Sequence, residues 1–298
     1  MRSKVYILGF GLFFCAQVVY GQFEASYTQY MFNGLAINPA YAGSHNSLDA
    51  SLITRFQSPG VEGAPSTQTL SAHTGIRDKK IGLGFMVITD KIGVTRQTGY
   101  YASFAYKIEF ANSTLSMGLQ GGATSYRSDY SQLLIKQPGD PLANGDVRET
   151  QPNIGAGIYY YSKMFYAGLS MPQMIGALGE NIIQSQPIIF TTGVVLPIND
   201  AFKIKPNVLV RTVEEQLVEV HCNLNLLIQE ILWLGVSYRV NSSVSGLLEL
   251  QMTNQLRLGY AYDATLSDLR QADSGSHEIM LNYQLRFSKK KVVNPRYF

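Results

Sequence analysis

From about Asn46 to Ser288 the chain alternates apolar and polar residues with a period of two, in run after run. Val218, Val220, Cys222, Leu224 and Leu226 share one face, and Glu219, His221, Asn223 and Asn225 the other. Leu256, Leu258, Tyr260 and Tyr262 alternate with Arg257, Gly259, Ala261 and Asp263, and Ile279, Leu281, Tyr283, Leu285 and Phe287 alternate with Glu278, Met280, Asn282, Gln284 and Arg286. Each run is about ten residues long, the length a tilted strand needs to cross a bilayer.

Fourteen such runs can be counted, near 46 to 57, 66 to 77, 80 to 89, 94 to 110, 113 to 127, 151 to 162, 164 to 172, 186 to 199, 202 to 213, 217 to 229, 231 to 240, 243 to 252, 254 to 264 and 277 to 288. Their connections are unequal. Asp78-Lys79, Ala111-Asn112, Ser162-Lys163, Asn199-Asp200, Gln229-Glu230 and Thr253-Asn254 are tight, whereas 58 to 65, 128 to 150, 173 to 185 and 265 to 276 are long. Tight turns follow even-numbered runs and long loops follow odd-numbered ones, the asymmetry of an outer-membrane barrel with both termini on the periplasmic side. A soluble sandwich or propeller also alternates, but it does not call for strands this uniform. Nor does it call for aromatics such as Tyr100, Tyr160, Phe165, Tyr238, Tyr260, Tyr262, Tyr283 and Phe287, which suit interfacial girdles. The expectation is an all-β transmembrane antiparallel barrel of about 14 strands over residues 46–288.

The first residues read MRSKVYILGFGLFFCAQVVYGQ. Arg2 and Lys4 precede an apolar core from Val5 to Ala16, and Val19 and Gly21 are small enough for signal peptidase, so residues 1–21 are expected to be a cleaved signal peptide. Bulky Phe13 and Phe14 before Cys15 argue against a lipoprotein signal. Loss of Arg2 and Lys4 lowers the net charge from +3 to +1, a balance that offers nothing to nucleic acid. Cys222 then has no partner for an intramolecular disulfide, and no uncharged apolar run reaches the length of a membrane helix.

No HExxH, paired CxxC or nucleophile elbow organises the four histidines, and neither catalytic residues, cofactor nor metal are expected. His221 and His277 read as lumen or rim polar residues. The inward face carries candidate lumen charges, Glu219, His221, Arg239, Glu249, Arg257, Asp263, Glu278 and Arg286, of both signs as a hydrogen-bonded interior requires. It also carries Gly82, Gly84, Gly118, Gly122, Gly155, Gly157, Gly168, Gly235 and Gly259. Glycine weakens a strand unless it relieves curvature or something approaches its backbone closely. Residues 22–45 precede the first run and are available to fill the interior from the periplasmic side. They are expected to form a plug or periplasmic segment, with Tyr30, Phe32 and Tyr41 as apolar bulk, Asn33 and Asn38 as polar partners, and Pro39 with Gly43 turning the chain into the barrel. The other reading is a mobile tail, which aromatic content disfavours. Residues 289–298 form a basic periplasmic tail in which Lys289, Lys290, Lys291 and Arg296 are candidate docking residues for a periplasmic partner.

Several motifs in order resemble the PorP/SprF family. They are QYMFNGLAINPAYAGS at 29–44, GAPSTQTLSAH at 63–73, KIGVTRQTGYYASFAY at 91–106, YRSDYSQL at 126–133, PNIGAGIYYYS at 152–162, WLGVSYR at 233–239, LRLGYAYD at 256–263 and GSHEIML at 275–281, closing with NPRYF. Gly34 departs from the family pattern, which commonly has proline there. The resemblance implies an outer-membrane component of the type IX secretion system of Bacteroidota, surrounded by outer-membrane lipid. Its implied partners are other secretion components and a secreted cargo or adhesin bearing a C-terminal sorting domain. Some members serve the core secretion and gliding apparatus and others help display one adhesin, and no residue discriminates the two. The alternative is a passive outer-membrane channel or hydrophobic-ligand transporter of similar shape.

Overall fold

The computed structural model describes residues 27–45, 47–76, 80–132, 145–175, 185–213, 217–266 and 274–285. The expected signal peptide, the Asp78-Lys79 turn, Arg286, Phe287, Lys289, Lys290, Lys291 and Arg296 lie outside the described residues.

Alternation becomes strand along nearly the whole chain: β1 (Leu48–Gln57), β2 (Ser66–Ile76), β3 (Ile81–Ile92), β4 (Thr95–Glu109), β5 (Ser113–Ser128), β6 (Val147–Ser162), β7 (Phe165–Met171), β8 (Ile189–Val194), β9 (Leu196–Pro197), β10 (Phe202–Val213), β11 (Leu217–Ile228), β12 (Leu232–Arg239), β13 (Ser243–Gln251), β14 (Leu256–Thr265) and β15 (Ser276–Leu285). Each pairs antiparallel with its neighbours, and β1 pairs with β15 from Leu48 opposite Leu285 to Gln57 opposite Ser276, which closes the ring. β8 and β9 both pair with β10 and are interrupted by buried Val195, whose N–H donates to the Met164 carbonyl. Together they make one stave of a fourteen-stave barrel, so the run expected at 186 to 199 is a single wall position with a local break.

Two strands outrun their apolar patterns. β3 continues to Ile92 and β6 begins at Val147, in polar stretches where Asp90 pairs with Gln97 and Glu149 with Tyr126. The backbone ladder needs no apolar face once it leaves the hydrocarbon, so hydrophobicity understates strand length at the rim.

The two faces separate cleanly. Leu119, Val218, Val236, Leu281 and Tyr283 project outward and are exposed on the isolated chain, the band that meets lipid. Tyr160 and Phe165 at the tight-turn end, and Tyr238 and Tyr262 at the long-loop end, are also outward. Their partners in alternation, Ser51, Thr69, Ser103, Asn223, Asn225, Glu278 and Asn282, are buried inside. No helix among the described residues is long and apolar enough to cross a membrane, so strands alone make the wall.

Candidate functional site in the barrel lumen

Residues 27–45 lie inside this wall. The segment is too rich in Gly, Pro and Asn for regular structure and folds as three single-turn 3-10 helices, Tyr30–Phe32, Gly34–Ala36 and Pro39–Tyr41. Asn38 starts the last of them. Its Oδ1 accepts from Ala40 N–H at 2.9 Å while Pro39 stands at the first helical position, where its missing N–H costs nothing. Its Nδ2 donates to the Ile158 carbonyl at 2.9 Å, tying the turn to β6. Gly43, at φ +66°, makes the final bend toward β1, a conformation that suits glycine.

The segment runs along the bore. Tyr27 contacts Thr69, and Thr28 and Gln29 contact Glu278, in the half of the barrel nearer the long loops. His45 sits at the tight-turn end beside Asp49. The first described residues thus stand in the half nearer the long loops, and the chain descends from there toward β1.

Two kinds of contact hold it. Along β3 to β7, inward glycines admit its backbone. A Cβ on Gly82 would meet the Ala42 carbonyl, one on Gly118 the Pro39–Ala40 peptide, and one on Gly157 the Asn38 amide. A Cβ on Gly84 would come within 3.0 Å of Leu35, which is 1% exposed. Gly259 on β14 gives the same access to Gln29. Gly122 and Gly235, also expected inward, instead adjoin Tyr100 and Asn225 of the wall itself, and Gly155 adjoins Pro172 just past the end of β7.

Along β14, β15 and β1 the contact is polar. The Thr28 and Gln29 N–H groups donate to the two oxygens of Glu278 at 3.0 and 2.9 Å, and Thr28 Oγ1 donates to Asp263 at 2.7 Å. The Arg55 guanidinium lies 2.5 Å from Asp263 and 3.3 Å from Glu278 and also donates to Thr28 Oγ1 at 3.0 Å. All three charged side chains are at most 5% exposed, so the carboxylates are solvated by protein groups, with Arg55 and the segment's donors prominent among them.

Between these walls, Tyr30 donates its hydroxyl to Asn207 at 2.9 Å and accepts from Asn223 at 2.7 Å, and Ser71 donates to Asn33 at 3.0 Å. Tyr41 is ringed by His45, His73 and Tyr159 at centroid distances of 5.3 to 5.8 Å. Burial pushes the phenols of Tyr27, Tyr30 and Tyr41 above their ordinary range, so they act as neutral hydroxyls. Phe32 is only half-buried, tilted against Trp233 with the Lys205 ammonium 5.7 Å from its ring.

The other expected lumen charges are distributed rather than gathered. Arg257 donates to Glu249 at 3.0 Å and to Asn282 at 3.2 Å near the tight-turn end. His221 and Arg239 are opposite one another in the β11–β12 ladder, and Glu219, its side chain 36% exposed, stands 3.6 Å from His221 at the long-loop mouth. His277 belongs to the outer face, between Tyr260, which it meets at 2.8 Å, and Tyr262. The sequence reading found the walls of this site but did not single out Thr28, Gln29 or Arg55. Arg55 shares its face with Asp49, Ser51 and Ile53, so parity alone would have put it inside.

The sequence matches the family described as type IX secretion system membrane protein PorP/SprF over residues 19–283. The chain belongs to the PorP/SprF family. It is therefore a protein of the outer membrane, associated with the type IX secretion system. No functionally curated protein is similar to it in sequence. Among solved structures, a ΔS2S3 mutant of the TodX monoaromatic hydrocarbon channel aligns at a TM-score of 0.50 and 11% identity, covering 85% of this chain and 94% of that one. The Acinetobacter baumannii outer membrane protein Omp33 aligns at 0.49 and 10%, covering 81% and 98%. The Pseudomonas putida toluene transporter TodX aligns at 0.49 and 12%, covering 85% and 93%. At such identities the likeness to the TodX mutant is one of barrel fold. Within this PorP/SprF barrel, the feature that calls for a functional account is the filled bore.

Proposed function

We propose that this PorP/SprF protein is a plugged, non-enzymatic partner of protein export, which assists the secretion and surface attachment of cargo bearing a C-terminal sorting domain and is not a diffusion pore. The observation that carries this reading is the course of Tyr27–His45 along the bore, close against glycines on one side and bonded to Glu278 and Asp263 on the other. A channel for small solutes needs an open path, whereas a partner that presents a rigid face to secretion components needs only a stable barrel. The long loops and the basic tail would supply the outer and periplasmic contacts.

Deleting the gene tests the class of function. Cargo with sorting domains should be retained in the cell while small-solute uptake is unchanged. Normal export with lost solute permeability would overturn the proposal. Removing residues 22–45 tests the plug: the barrel should still form, since its ladders lie outside the segment, and conductance in a planar bilayer should rise.

A second reading, a transporter of small hydrophobic ligands, draws on one observation. A cavity of about 100 Å³ remains beside the segment, lined by apolar Ile37, Met86 and Leu209 and by polar Asp90, Gln120 and Arg211 among others. Uptake of an aromatic hydrocarbon that depends on this chain would favour it.

A further inference from the structure

Three side chains of metal-ligating type converge where the N-terminal segment joins the wall. His45 ends the segment, Asp49 lies four residues on in β1, and His73 stands directly opposite Asp49 in the β1–β2 ladder. One ligand atom from each lies within 4.8 Å of the others, and His45 Nδ1 is 3.0 Å from Asp49 Oδ2. In a tetrahedral zinc site, bonds of about 2.0–2.2 Å place donor atoms roughly 3.4 Å apart. Small side-chain rotations therefore close the gap without moving the ladder.

The surroundings hold this geometry. Asn282 Nδ2 donates to the second Asp49 oxygen, Oδ1, at 2.5 Å, and Arg257, itself bonded to Glu249, donates to Asn282 Oδ1. The carboxylate is thus oriented by a chain of buried side chains, the kind of support that metal sites use. Tyr41 packs edge-on against both imidazoles, which restricts their rotation. His45 keeps 13% of its side-chain surface exposed, leaving the cluster an approach from solvent.

We propose that His45, Asp49 and His73 form a divalent transition-metal site that clamps the end of the N-terminal segment to the first hairpin of the barrel. Two imidazoles and one carboxylate select an ion of the zinc class over calcium or magnesium, which take oxygen donors. Three protein ligands leave a position for water or for a donor from a partner. The ion bridges the segment and two strands, so its binding energy adds to the docking of residues 27–45.

The site also has a competitor. Lys107 Nζ donates to the Gly43 carbonyl beside the cluster, and Gly43 N–H donates to His73 Nδ1 at 3.2 Å. Arg257 also stands behind Asp49 through Asn282, and a carboxylate already balanced by that cation and the imidazoles needs no metal.

Titration of the untagged, mature protein in detergent decides between them. After stripping with EDTA it is titrated with Co²⁺, read by its visible ligand-field bands, and then with Zn²⁺ by calorimetry. One equivalent of each should bind, with Zn²⁺ displacing Co²⁺. His45→Gln and His73→Gln should each weaken binding by more than the roughly 10–100-fold typical of supporting residues, whereas His277→Gln should bind as the wild type does. His45→Gln lies outside the strands, and heat-dependent gel mobility checks that it folds. Zinc should also slow proteolytic trimming of the segment in the wild type and not in His45→Gln. A wild type that binds neither ion, or equal binding by a His45→Gln/His73→Gln double variant, would overturn the proposal.

Discussion

The N-terminal segment meets two unlike walls. Against β3 to β7 it is seated by what is missing, since Gly82, Gly84, Gly118 and Gly157 lack the Cβ that would hold it away. Against β14, β15 and β1 it is held by what is present, Glu278 and Asp263 accepting from Thr28 and Gln29 with Arg55 balancing their charge. The first wall tolerates no addition and the second no subtraction. A filled lumen thus combines a close-packed side that sets distance with a bonded side that sets position.

Removing the balancing charge should have the largest effect. Arg55→Ala leaves two carboxylates buried without their cation, a change that typically costs about 3–5 kcal/mol. The temperature at which the folded gel form converts to the unfolded one should fall clearly, and Arg55→Lys should recover part of the loss, because Arg55 meets both acids and Thr28 through the single nitrogen Nη1, a point contact that an ammonium can supply. Next comes the glycine wall. Gly118→Ala sets a methyl against the Pro39–Ala40 peptide, and overpacking of this kind costs about 1–3 kcal/mol. Gly121→Ala, three residues along the same strand, adds its methyl where no atom lies within 4 Å and should change stability by less than about 0.5 kcal/mol. Equal effects at 118 and 121 would mean that the glycines serve strand curvature and not the segment.

Tyr30→Phe is the mildest test. It removes the hydroxyl shared by Asn207 and Asn223 but leaves those two amides bonded to each other at 2.8 Å, so about 1 kcal/mol is expected. Protease trimming of the segment should respond to all of these variants except Gly121→Ala, which ties each loss of stability to docking.

The walls were legible in sequence because lipid and lumen impose opposite demands on adjacent residues, so Leu281 and Asn282 declare their faces without any knowledge of the fold. Tight turns such as Gln229-Glu230 were equally plain, lying between two uninterrupted alternations. The contacts within the lumen were not legible. Thr28 and Gln29 carry no periodicity, and what fixes them is a side chain on the last strand. The pairing of Asp49 with His73 depends on the β1–β2 register, which the eight-residue connection at 58–65 does not dictate. Register is set when the whole inward face is satisfied at once. Break points such as Val195 within β8–β9 are likewise decided by the neighbouring strands and leave no local mark.

The bonds from Thr28 and Gln29 to Glu278 span 250 and 249 residues, nearly the full length of the chain. Contacts so remote in sequence cannot form until β15 is in place, the same strand that pairs with β1 to close the ring. Docking of Thr28 and Gln29 is therefore coupled to closure of the ring, since both depend on the placement of β15. In this barrel one carboxylate, Glu278, joins the N-terminal segment to the strand that closes the ring.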